Sequence, residues 1–106
     1  MPSLTNAAAR PSPLPLPPEL SQLPEGSLRV YGPVVASQCD HTGRPIQRYV
    51  TILVACQGGE WLLRRVVTSA GNNAGTVPRL VEMKITADDA RRWLADNPEA
   101  ISESLT

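Results

Sequence analysis

The distribution of proline limits most strongly what this chain can fold into. Seven of its 11 prolines lie within the first 27 of 106 residues. Proline has no backbone N–H and a fixed φ, so such a run cannot sustain a helix or a strand ladder, and polyproline II is its default conformation. We therefore expect residues 1–27 to be a flexible, disordered leader with at most a short helix over Glu19–Leu23, and residues 28–106 to form one small domain.

Length and composition exclude several classes of protein. Residues 28–106 are too few for a multidomain enzyme or a nucleotide-binding α/β domain. No apolar run approaches the ~20 residues that span a bilayer, and Met1–Pro18 has one charge and no continuous apolar stretch, unlike a secretion signal. We expect a cytoplasmic protein that makes no membrane contact and keeps its cysteines reduced. The abundance of Ala, Arg and Pro suggests a bacterial or phage origin.

Residues 28–85 carry the apolar, β-branched pattern of strands. Gly32-Pro33 predicts an edge, a bend or a bulge, and Asp40–Pro45 is a dense turn signal. The predicted strands cover residues 28–31, 34–36, 46–56, 60–68 and 79–85. The fold class is therefore α+β: a three- or four-stranded antiparallel sheet with one C-terminal helix packed on it. A small curled barrel is the alternative.

The Gly58-Gly59 pair predicts a two-residue hairpin loop between the two longest strands. In that register Val54 lies opposite Leu63, and the two sides of the hairpin are both largely apolar. The side that we expect to be free carries Tyr49, Leu53, Leu62, Arg64 and Val66. Since one helix cannot easily cover two sheet faces, we expect these five residues to bind a partner protein or a second copy of the chain as a homodimer.

The C-terminal region predicts a short helix held by packing. Thr86 is a candidate N-cap, and acidic residues follow it in the first turn of a helix over residues 87–95. Trp93 is expected to insert against the face that carries Val50, Ile52, Val54 and Leu63, and residues 99–105 to form a frayed turn. The predicted structural core comprises Val50, Ile52, Val54, Trp61, Leu63, Met83, Ile85, Trp93 and Leu94.

No catalytic or metal-binding constellation emerges from the sequence. His41 is the only histidine, and adjacent turn residues point apart, so Cys39 and His41 do not form an obvious thiol–imidazole pair. A zinc site built from Cys39, His41 and Cys56 would have three soft ligands where four are usual. The glycine runs lack the Lys-Ser/Thr of a phosphate loop. We expect a non-enzymatic protein without catalytic residues, cofactor or metal.

Charge is distributed unevenly although the formal net charge is zero. Residues 41–85 contain six basic and two acidic side chains, whereas residues 86–106 contain two basic and five acidic ones. A basic sheet suits phosphates or an acidic partner. The arginines that we expect to make such contacts are Arg44, Arg48, Arg65 and Arg79.

These observations favour an interaction or regulatory module over an enzyme. We expect an inhibitor or adaptor, encoded by a phage or mobile element, that docks on a host macromolecule. One alternative is a small nucleic-acid-binding domain that uses the arginines of the sheet, although four aromatic residues offer little base stacking. The second alternative is a very small enzyme.

Overall fold

The computed structural model describes residues 10–69 and 77–105. In chain order its elements are β1 (Arg10–Pro11), α1 (Pro18–Ser21), β2 (Gln22–Leu23), β3 (Ser27–Cys39), β4 (Pro45–Cys56), β5 (Trp61–Ser69), β6 (Arg79–Ile85), α2 (Ala87–Asp96) and β7 (Ile101–Ser104). β1 pairs with β2, and the other strands form one antiparallel sheet in the order β6-β5-β4-β3-β7. The predicted α+β class is confirmed, with five strands in the sheet where three or four were expected.

The hairpin between β4 and β5 has a longer loop than the sequence suggested. The Cys56 N–H donates to the Glu60 carbonyl at 2.8 Å, and Gln57–Gly59 forms a 3-10 turn. Val54 therefore lies opposite Leu62 rather than Leu63. The predicted register is wrong by one residue, and because side chains alternate along a strand, such a slip moves every residue of β5 to the other face.

The corrected register defines two faces of the sheet. We call one of them the covered face because the N-terminal segment packs on it. It carries Val30, Val50, Ile52, Val54, Leu62, Arg64, Val66, Leu80, Glu82 and Lys84. The opposite face carries Tyr31, Tyr49, Thr51, Leu53, Trp61, Leu63, Arg65, Val67, Arg79, Val81, Met83 and Ile85.

The N-terminal segment, residues 12–24, packs on the covered face. Leu20 and Leu23 are fully buried and Leu14 is 8% exposed, all three in one cluster with the inner residues of the sheet. Backbone bonds fold the segment back on itself, including Ser12 N–H to the Ser21 carbonyl at 2.9 Å. The prediction of a disordered leader is therefore wrong for residues 12–24, because leucines placed between the prolines bury enough apolar surface to order the chain. Residues 1–9 lie outside the described residues.

Helix α2 begins at the predicted cap and connects the two edges of the sheet. Thr86 Oγ1 accepts a hydrogen bond from the Asp89 N–H at 3.1 Å. β6 and β7 run parallel at opposite edges, so the connection crosses the width of the sheet. Because residues 12–24 occupy the covered face, we infer that this crossover passes over the opposite face. Ala90 in α2 and Leu53 on that face are both fully buried, outside the leucine cluster.

Trp93 does not insert against the face of Val50, Ile52 and Val54, because the N-terminal leucines fill that space. It is only partly buried. The frayed turn predicted over residues 99–105 is instead the strand β7, which pairs with β3 between Arg29 and Gly32. Neither helix in the described parts of the chain has the length and apolarity to cross a membrane.

The Gly32-Pro33 bulge is confirmed. The register between β3 and β4 shifts between Tyr31 and Val34, and the Gly32-Pro33 peptide bond is cis. Gly32 has φ +135°, and a Cβ there would lie 3.0 Å from the Thr51 carbonyl oxygen. Only glycine fits this bend without strain.

The predicted core is right at its centre and wrong at its margins. Ile52 and Val54 are fully buried, and Val50 packs against the same cluster. Met83, by contrast, is 51% exposed in the edge strand β6. The remaining predicted core residues are partly buried, namely Trp61, Leu63, Ile85, Trp93 and Leu94.

Candidate docking groove

The five residues predicted to form one partner-binding face are divided between two faces. Tyr49 and Leu53 lie on the opposite face, whereas Leu62, Arg64 and Val66 lie on the covered face. Arg64 is 7% and Val66 2% exposed beneath the N-terminal segment, and Leu53 is fully buried. The structure therefore does not bring these residues together: Tyr49 borders a cavity on the opposite face, and Val66 borders a different cavity on the covered face.

An open groove runs over β4, β5 and β6 on the opposite face. One cavity there has a volume of about 250 Å³ and is lined by Gln47, Tyr49, Leu63, Arg65, Val67, Arg79, Val81 and Met83. A second cavity, also about 250 Å³, shares Gln47, Val67 and Arg79 with the first and continues to Ser69 and Val77. We call these two adjoining cavities together the docking groove.

The floor of the docking groove is apolar and accessible. Leu63 and Val67 are partly buried in β5, while Val81 and Met83 in β6 are 36% and 51% exposed. Large apolar side chains that share one open surface mark interaction sites more often than isolated ones do. The sequence assigned Leu63 and Met83 to the core, and only the correct register places both of them on this surface.

Arg65 is held in a defined orientation at the side of the docking groove. Its Nε donates to Thr51 Oγ1 at 3.0 Å, and its guanidinium carbon lies 5.3 Å from the centre of the Tyr49 ring. Tyr49 Oη is in turn 2.7 Å from Oε1 of both Gln38 and Gln47. The residue remains exposed, so its charge faces solvent from a fixed position.

Charge in the docking groove has one sign. Arg65 and Arg79 line it, and none of the described residues that line its two cavities is acidic. The other arginines predicted to contact phosphates or an acidic partner lie elsewhere. Arg48 borders a different cavity, on the covered face beside Pro15 and Leu16, and Arg44 is in the turn after β3. Two of the four predicted contacts therefore meet at one site.

Arg64, unlike the adjacent Arg65, binds the N-terminal segment. Its Nη1 donates to the Gln22 carbonyl at 2.9 Å, and its Nε lies 4.0 Å from a carboxylate oxygen of Glu82. This Nε is buried without a hydrogen-bond partner. A guanidinium enclosed in this way contributes to the fold and is not available to a ligand.

The turn around His41 is a structural feature. The Asp40 carboxylate accepts hydrogen bonds from the Thr42 hydroxyl and from the N–H groups of Arg44 and Thr42, which lower the pKa of Asp40. His41 and Cys39 are both exposed there. Within residues 10–69 and 77–105 no group of three or more His, Cys, Asp or Glu side chains is placed to hold a metal ion.

No protein-family model, curated protein or solved structure is significantly similar to this chain. The geometry of the docking groove is therefore the observation from which function is argued.

Proposed function

We propose that the protein is a non-enzymatic interaction module that binds an extended, acidic and apolar segment of a partner protein in the docking groove. One observation carries this proposal. The groove has an apolar floor that includes Leu63, Val81 and Met83, two arginines at its sides, and no carboxylate in its lining.

The chemistry of the groove selects this class of partner. An extended segment presents alternate side chains to one surface, so one set can contact the apolar floor while the others reach the arginines. Arg65 and Arg79 offer forked donors, which match the geometry of a carboxylate. An inhibitor or adaptor that docks on a host protein fits this mode of binding. The proposal includes a cytoplasmic setting, in which Cys39 and Cys56 are free thiols.

Nucleic acid is the competing class of partner and is weaker on two counts. The four arginines named from the sequence do not form one basic surface, since Arg48 lies on the covered face. Three of the four aromatic rings are also engaged within the protein: Arg65 lies over Tyr49, and the ring centres of Tyr31 and Trp61 are 6.0 Å apart. Base stacking needs rings that are free.

Peptide binding tests the proposal directly. A fluorescent peptide of alternating glutamate and leucine should bind the full chain, as measured by anisotropy, and its counterpart with lysine for glutamate should not. Arg65→Glu and Arg79→Glu should each weaken binding by about tenfold, since each loses about 1.4 kcal/mol or more of charge interaction. Amide chemical shifts on peptide addition should change most at Leu63, Val67, Val81 and Met83.

The matched control is Arg44→Glu, which makes the same charge change at an exposed turn outside the groove. Circular dichroism should show that all three variants keep the wild-type fold. An equal loss of binding in Arg44→Glu would mean that the peptide senses overall charge only. A preference for single-stranded oligonucleotide, falling steeply with salt, would replace this proposal with the nucleic-acid alternative.

A further inference from the structure

β6 is one of the two edge strands of the sheet, and at seven residues it is longer than the four-residue β7 at the other edge. Among the described residues, only β5 pairs with it. Its residues from Arg79 to Lys84 are all exposed, and α2 leads from its end towards β7 at the other edge. An edge strand of seven residues presents unpaired backbone groups that can pair with another strand.

The hydrogen bonds of the sheet show which backbone groups of β6 face outward. The Cys56 N–H points to β5, and backbone groups of alternate residues in a strand share one direction. Applied to the paired residues, this alternation means that the backbone N–H and carbonyl groups of Arg64 face β4 and those of Arg65 face β6. The backbone groups of Val81, which pairs with Arg65, therefore face β5. The residues whose N–H and carbonyl groups face away from the sheet are therefore Leu80, Glu82 and Lys84.

We propose that two copies of this chain pair through β6, antiparallel, around a two-fold axis at Met83. In this register the outward-facing Glu82 of each copy lies opposite Lys84 of the other, so two opposite-charge pairs form. An axis at Glu82 would place two glutamates in opposition, and one at Lys84 two lysines. An axis at Val81 would pair Lys84 with Pro78, which has no N–H to donate.

The charges of β6 support pairing with itself and oppose other registers. Edge strands that avoid association commonly carry charges that repel a second copy. Glu82 and Lys84 are two residues apart, and the axis at Met83 places each of them opposite the other residue type of the second copy, so both contacts are attractive. Lys84 is 69% exposed and its present contact with Glu60, at 3.4 Å, is a surface pair of small value, so it can reorient.

The same axis joins apolar side chains of the opposite face. Met83 lies across from Met83 of the second copy, and Val81 across from Ile85. The two Met83 side chains then meet at the outer border of the docking groove, and strand pairing extends the sheet in its own plane beyond them. The pairing rests on the backbone edge and charges of β6 and the proposed function on the face of the sheet, and the two share Met83.

Sedimentation equilibrium of the full chain tests the pairing. The wild type should have the mass of a dimer, and Glu82→Lys and Lys84→Glu should each be monomeric, because each creates two like-charge pairs. An equimolar mixture of the two variants should regain the dimer mass, since the edges are then complementary. Glu99→Lys, an exposed charge change outside β6, should remain dimeric. A monomeric wild type up to its solubility limit, or dimeric single variants, would overturn the proposal.

A cross-linking pair tests the register, in a Cys39→Ser background that removes the exposed thiol. Met83→Cys should form a disulfide-linked dimer on mild oxidation, because residues that face each other at such a non-hydrogen-bonded position have Cα atoms about 4.5 Å apart. Val81→Cys should not, since its counterpart lies about 13 Å along the strand. Cross-linking of Val81→Cys but not of Met83→Cys would exclude this register. Circular dichroism should confirm that every variant is folded.

Discussion

On the covered face, Leu14, Leu20 and Leu23 fill the space above Val30 and Ile52; on the opposite face, Leu53 is buried but Val81 and Met83 remain 36% and 51% exposed. Both faces carry apolar side chains, but one sheet of five strands and a helix of ten residues offer too little material to enclose both completely. The chain uses its N-terminal segment to complete one face. The apolar surface that remains on the other is therefore available for binding.

Arg64 and Arg65 show the same difference at the scale of two residues. They are adjacent in β5, so their side chains point to opposite faces. Arg64 is buried and donates to the carbonyl of Gln22, while Arg65 is exposed beside the docking groove. Arginine thus makes a structural contact on the covered face, whereas on the opposite face it presents its charge to solvent.

Truncation of a leucine in the N-terminal segment should have the largest effect. Leu20→Ala should lower the free energy of unfolding by about 2–5 kcal/mol, the range for removing a fully buried leucine. With both variants made in the Lys84→Glu background, which we expect to be monomeric, Met83→Ala on the opposite face should change it by about 0.5 kcal/mol or less, since surface substitutions rarely do more. Urea denaturation of both variants gives the comparison.

The same pair of variants can refute the comparison of the two faces. If Leu20→Ala unfolds at the urea concentration of the wild type, the N-terminal segment does not stabilise the sheet. If Met83→Ala is the more destabilised variant, the opposite face is the one that carries the core. Either result would also remove the reason to regard the docking groove as a free surface.

Substitution of the two adjacent arginines should have smaller effects, on stability for Arg64 and on peptide binding for Arg65. Arg64→Ala should cost about 1–3 kcal/mol, because the Gln22 carbonyl loses a buried donor. Arg65→Ala should change stability by about 0.5 kcal/mol or less and weaken peptide binding instead. Urea denaturation and peptide anisotropy, applied to both variants, separate the two roles. Equal stability losses in the two variants would show that β5 does not have the register described here.

Much of the architecture could be predicted from local sequence signals. The bounds of β6 match the prediction, those of β4 and β5 differ from it by about one residue, and the Thr86 cap starts α2 where expected. These features depend on residues close together in the chain, such as alternating apolar side chains or a hydroxyl three residues before its partner N–H.

Features that depend on long-range contacts could not be predicted in the same way. Gly58-Gly59 fits both a two-residue loop and the observed longer turn, and the choice between them decides which residues share a face. β7 has a polar sequence and forms only because β3 offers it an edge. The N-terminal segment did carry a signal, in leucines at 14, 16, 20 and 23, but its prolines favoured the opposite interpretation.

The labelling rates of the two cysteines should show, in the unsubstituted protein, how well the covered face is protected from solvent. Cys39 is exposed, whereas Cys56 packs against the leucine cluster. Burial raises the pKa of the Cys56 thiol, and the Glu60 carboxylate adds to this effect. Since the thiolate is the reactive form, maleimide at neutral pH should label one thiol per chain quickly and the other severalfold more slowly. Mass spectrometry of digested samples should identify the fast thiol as Cys39.

The Leu20→Ala variant links this labelling to the comparison of faces. It should speed the labelling of Cys56 and leave that of Cys39 unchanged, because only the covered face is loosened. The pH dependence has a defined sign: a thiol whose pKa is raised by folding stabilises the folded state below the unfolded pKa, about 8.5, and this contribution is lost as pH rises through the folded value. Labelling of Cys56 should therefore accelerate at alkaline pH through both ionisation and opening. Equal rates for the two thiols in the wild type would mean that the N-terminal segment leaves the sheet often enough to expose it.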